Sequence, residues 1–177
     1  RKIMKHFFLK TIAVSVLSFA TTAAIAQELV ENDAEVGETT YQDWTLRCQQ
    51  VETSEQDCFM IQLIQLEESG ELLMQVNIAS IPDREEPIMS IALPLGVALA
   101  DGVKMQLGEV AENANMMGYS HCTQGGCYVN QLLSDEAVQR ITAAKSGGVT
   151  FVTLSGEAID VPFSPLGFAE ALAAMRQ

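Results

Sequence analysis

The sequence predicts a mainly β protein, an antiparallel sandwich with one or two short helices, on three observations. Apolar residues recur with period two in short segments; Gly, Pro, Asn, Asp or Ser clusters separate most of them; and only two stretches, both late in the chain, change to helical spacing. Successive strand side chains point to opposite faces, so period two marks one buried and one solvated face. Many short strands so patterned favour a sandwich or barrel.

The segments in order are YQDWTLRC (41–48), CFMIQLIQL (58–66), ELLMQVNIA (71–79), PIMSIAL (87–93), GVKMQLG (102–108), CYVNQLL (127–133), VTFVTLS (149–155) and EAIDVPF (157–163). The clearest hairpin spans residues 58–79, with Glu67-Glu68-Ser69-Gly70 as its turn. The first helix is capped by Ser134, carries Asp135 and Glu136 in its first turn, lines up Ala137, Val138, Ile141 and Ala144, and stops at Gly147. The second is SPLGFAEALAAMR, with Ser164 as cap, Pro165 at the first helical position, and Leu166, Phe168, Ala169, Leu172 and Met175 available to bury.

Residues 1–26 read as a secretory signal peptide. Lys5 and Lys10 precede and flank an apolar run over 12–19, and Ala24-Ile25-Ala26 supplies the cleavage pattern. The run is shorter than the roughly 20 residues of a membrane-spanning helix, so no stable membrane insertion is expected after cleavage. Residues 27–40 are acidic and aperiodic and read as a mobile leader, leaving 41–177 as a single sandwich domain. Cleavage removes four of ten basic residues and none of 23 acidic ones, leaving six against 23, a net charge of −17. Such a field repels phosphate backbones and anionic lipid, which argues against nucleic-acid and membrane-surface partners.

Four cysteines in an exported chain form a disulfide framework by default, and Cys48, Cys58, Cys122 and Cys127 allow three connectivities. Loop-closure entropy does not choose among them. A ring closed by Cys122 and Cys127 contributes roughly 2.2 kcal/mol, one closed by Cys48 and Cys58 roughly 2.8, and a bridge from Cys48 to Cys122 about 4.5. Zinc is disfavoured because the spacings are C-x9-C and HC-x4-C, and His121 is the sole histidine after cleavage. A thiol-redox centre is disfavoured because Cys122 and Cys127 lie between strands and lack a helix N-terminus to lower a thiolate pKa.

Ordered along the chain, Tyr41-Gln42-Asp43-Trp44-Thr45-Leu46-Arg47-Cys48, Cys58, Leu93-Pro94-Leu95-Gly96-Val97, Asp101-Gly102-Val103, Cys122, Gly126-Cys127, Pro162, Gly167-Phe168 and Ala171-Leu172 resemble the invasion-associated locus B family of exported alphaproteobacterial proteins. The resemblance covers about residues 41–175. It implies an immunoglobulin-like antiparallel β-sandwich at the periplasm or cell surface, the local pairing of Cys48 with Cys58 and Cys122 with Cys127, and no established enzymatic activity. It supplies no catalytic residue, no cofactor and no metal ligand.

The remaining residues assemble no catalytic set. There is no G-x-S-x-G elbow around Ser155, and the pairs Glu67-Glu68 and Glu85-Glu86 fall in turns, where solvated charge is the ordinary state. Trp44, the single tryptophan, is expected in the core, as are Met60, Met74, Met89 and Met105. Met116 and Met117 are a candidate apolar contact. The expectation is therefore a non-enzymatic, disulfide-stabilised binding module whose partner is a protein or envelope component. Its candidate contact loops are 82–87 and 109–118. The alternative is a periplasmic hydrolase with a carboxylate-based site.

Overall fold

A computed structural model describes residues 37–50, 56–108 and 114–177. Where the sequence alternates, burial alternates with it: β4 (Leu72–Ala79) and β5 (Ile88–Leu93) turn every second side chain inward. The other strands are β1 (Gly37–Tyr41), β2 (Trp44–Gln50), β3 (Gln56–Gln65), β6 (Val103–Leu107), β7 (Asn115–Met117), β8 (His121–Thr123), β9 (Gly126–Leu132), β10 (Gly147–Val152) and β11 (Ala158–Phe163). They form a seven-stranded sheet, β1-β2-β3-β4-β5-β9-β8, and a four-stranded sheet, β11-β10-β6-β7. Every pairing is antiparallel.

Residues from both sheets share one core. The larger contributes Leu46, Met60, Val76, Ile78, Ile91 and Val129, and the smaller Val103, Met105, Val149, Phe151, Val161 and Phe163. The fold is thus the mainly β antiparallel sandwich that period two predicts. Pro162 sits in β11, an edge strand, where a missing N–H costs no ladder bond.

Three strands lie outside the eight apolar segments. β1 begins at Gly37, inside the stretch expected to be leader, because the Gln42-Asp43 turn folds it back along β2. Arg47 Nε lies 2.7 Å from Glu38 Oε1 across that pair, an ion pair by distance rather than an aligned hydrogen bond, and both side chains are wet enough to limit its value to below about 1 kcal/mol. β7 and β8 have three residues each, too few to show a period. The expected signal peptide and the rest of the leader lie outside the described residues.

Both helices are present. In α1 (Asp135–Ala143), the Ser134 side chain accepts from Ala137 N, as its capping role requires; the helix ends at Ala144, and Gly147 already opens β10. In α2 (Phe168–Met175), the start falls later than the Ser164 cap that the sequence suggests. The cause is competition for the groups of Ser164. Its carbonyl accepts from Trp44 Nε1 (3.0 Å) and Gln62 Nε2 (3.0 Å), its N–H donates to Gln62 Oε1 (3.0 Å), and its hydroxyl donates to the Asp43 carboxylate. Gly167, at φ +86°, then redirects the chain into the helix.

That lock explains the one buried polar side chain among the described residues, Gln62, whose amide is satisfied on both ends. It also seats α2 on β1–β3, where Trp44 meets Phe163 and Phe168 edge-on at centroid distances of 5.9 and 5.6 Å. Leu166, expected to bury, is left exposed by the turn.

Both disulfides join strand neighbours within the larger sheet: Cys48 stands opposite Cys58, and Cys122 opposite Cys127. Alanine at both Cys48 and Cys58 is expected to lower the unfolding free energy by about 2.8 kcal/mol, and at both Cys122 and Cys127 by about 2.2. Urea titration of the two variants checks this, with the midpoint falling further for the first pair.

Candidate functional site

The residues from which the sequence offers chemistry do not converge. His121 is exposed, and its ring stacks on Tyr128 with centroids 4.9 Å apart and planes 9° from parallel. Adjacent strand residues face opposite ways, so this ring turns away from the Cys122 bridge. Trp44 is fully buried and spent on the core. Loop residues 82–86 are exposed around a turn in which Arg84 N donates to Ile81 O, and four of the five carry charge. Among the described residues, no three His, Cys, Asp or Glu side chains group closely enough to hold a metal ion. Residues 109–113 of the second candidate loop lie outside the described residues. Its end forms β7, with Met117 buried and Met116 exposed.

An unanticipated feature gathers around Met116. The four most exposed large apolar side chains in the described chain are Leu154 (77%), Met116 (61%), Leu95 (59%) and Leu99 (54%). All four lie at one end of the smaller sheet, where β6 and β11 begin and β7 and β10 finish.

Backbone contacts hold them there. Leu154 N donates to Gly96 O (2.8 Å), Ala98 N donates to Val152 O (2.7 Å), and Val97 bridges Thr153, so the segment bearing Leu95 and Leu99 runs along the β10–β11 turn. The Met116 methyl lies 3.9 Å from where a β-carbon on Gly102 would stand, just past Leu99–Asp101. The Cys122–Cys127 hairpin borders this end through β9, whose Cys127 pairs with Leu93. Gly126 lets it approach so closely: at φ +142°, any β-carbon would come within 2.4 Å of Leu93 O.

Sequence reasoning passed over these leucines because Leu95 and Leu99 lie between periodic segments and Leu154 stands at the end of one, 149–155, where its alternation gives way to a turn. The signal was an apolar residue inside turn chemistry: Leu95 between Pro94 and Gly96, Leu99 shortly before Asp101-Gly102, and Leu154 before Ser155-Gly156. A leucine in such a turn is placed in water by the turn itself. Several brought to one end are a candidate for the apolar surface that marks interaction sites. One further polar group stands out nearby in sequence: the Tyr119 hydroxyl is buried without a hydrogen-bond partner, and burial pushes its pKa above the ordinary phenol value.

The family model described as "Invasion associated locus B (IalB) protein" matches residues 44–176. The chain belongs to the IalB family. The match runs from the tryptophan of the α2 lock nearly to the end of the chain, so the IalB region contains both disulfides, the apolar end and α2. The fold agrees with a crystal structure of invasion associated protein B from Bartonella henselae at a TM-score of 0.68 and 17% sequence identity, over 79% of this chain and 96% of that one. No curated protein matches this IalB chain in sequence.

Proposed function

We propose that this IalB-family protein is an exported, non-enzymatic binding module that holds another macromolecule through the apolar end of its smaller sheet. The observation that carries this reading is the gathering of Leu95, Leu99, Met116 and Leu154 at one backbone-braced end, more than half exposed in each case. Exposed apolar surface costs solubility, and a contiguous patch of it is the ordinary mark of a docking surface. The two disulfides suit an oxidising compartment, and no helix among the described residues is long and apolar enough to cross a membrane. The partner is a protein or envelope component that offers a complementary apolar recess. Its rim is neutral or basic, because 23 acidic residues repel an acidic one.

The test compares the protein with its Leu95→Asp/Leu154→Asp variant, each tagged and cross-linked in the source cell. These positions are solvated, so the variant should keep its unfolding free energy to within about 0.5 kcal/mol per substitution. Recovery of a discrete partner by the parent and its loss by the folded variant is the expected outcome. Equal recovery by both, or recovery of none by the parent, would show the surface to be wrong.

A further inference from the structure

A second feature lies at the opposite end of the sandwich and stands independently of the binding reading. There the two inner faces part before they end. On β9, Gln131 occupies the core-facing phase two residues beyond Val129, yet it is exposed; on β6, Leu107 follows the buried Val103 and Met105 in phase but is only half-buried. Both residues line a cleft of about 260 Å³ that opens between the sheets under α1.

Its chemistry divides into two zones. Met89, Met105, Leu133 and Ile141 are each at least nine-tenths buried and make an apolar floor. Toward the mouth the lining turns polar, and Arg140 of α1 is its one charged residue; no carboxylate is among the described lining side chains. In a chain where acids outnumber bases 23 to 10, a cationic group at the mouth of a cleft whose described lining residues include no acid favours an anion. Clefts for drug-sized ligands run to about 300–1,000 Å³, so this one suits a smaller guest.

We propose that this cleft binds a small amphipathic anion, an apolar chain of medium length ending in a carboxylate, with the chain on the methionine–leucine floor and the carboxylate on the Arg140 guanidinium. A guanidinium pairs a carboxylate through two parallel N–H···O bonds, whereas an alcohol of the same length gains only the floor. A cationic chain of that length meets Arg140 as a like charge.

Amide NMR spectra of the full protein titrated with octanoate, octan-1-ol and octyltrimethylammonium test this. Octanoate is expected to give saturable shifts around residues 131–141 and 105–107 and to bind more tightly than the other two. Arg140→Gln, at an exposed helix position that leaves the fold intact, is expected to weaken octanoate about tenfold while changing octan-1-ol by less than about twofold. Ala137→Phe, which fills the cleft from the α1 side, is expected to abolish both. The proposal is overturned if octanoate shifts map elsewhere or do not saturate, if octyltrimethylammonium binds as well as octanoate, or if Arg140→Gln leaves octanoate affinity unchanged.

Discussion

Gly167→Ala is expected to cost about 3–5 kcal/mol of folding stability, at the upper end of what single substitutions do. Two effects add at this position. The backbone sits at φ +86°, where an L side chain costs roughly 1–2 kcal/mol, and the new β-carbon would stand 1.9 Å from Tyr41 O, an overlap that only a backbone shift relieves. That shift would pull α2 off β1–β3 and disturb the bonds that Trp44 and Gln62 make to Ser164. Gly156→Ala is the control. It has nearly the same φ, +85°, but open space around the β-carbon, so it should cost only about 1 kcal/mol. Urea unfolding of the two variants measures the difference, which isolates the collision from the strain; equal losses would mean that α2 is not locked at this point.

Trp44→Ala is the second large effect, with an expected loss of about 3–5 kcal/mol. The indole is fully buried between Phe163 and Phe168, one on β11 and one on α2, so its removal opens a cavity where the small sheet, the large sheet and the helix meet. The lost hydrogen bond adds little, since Gln62 still donates to Ser164 O. Trp44→Phe should recover part of the loss by refilling the cavity. Far-UV circular dichroism follows all three proteins, and because the chain has a single tryptophan, its fluorescence reports on this junction alone in the parent.

The fold was legible wherever a strand was long enough to show its period. β4 and β5 repeat apolar residues at every second position and bury them in that order, and each apolar segment from 58 to 163 contains a strand. Legibility failed where tertiary partners decide. β1 reads as acidic leader because Gly37–Thr40 are all solvent-exposed, and only pairing to β2 makes them a strand. Ser164 has every local mark of a helix cap, but its polar groups are taken by Asp43, Trp44 and Gln62, residues more than 100 positions away along the chain. The candidate surface was harder still, because turn residues carry no period. Leu95, Leu99 and Leu154 become a surface only when the ladder between Val97 and Thr153 brings their segments side by side. The cleft likewise depends on two inner faces parting, which neither strand states alone.

Site-specific photocross-linking from the side chain at position 154 addresses the binding reading most directly. A photoreactive residue replaces Leu154 in one variant and Leu63 in another; Leu63 is also an exposed leucine, at 48%, but it lies on the outer face of the larger sheet, on β3, two strands from β5. In the source cell, the residue at position 154 should capture one discrete partner, and the residue at position 63 should not. Capture from position 63 alone, or from neither position, would contradict the placement of the contact at the apolar end.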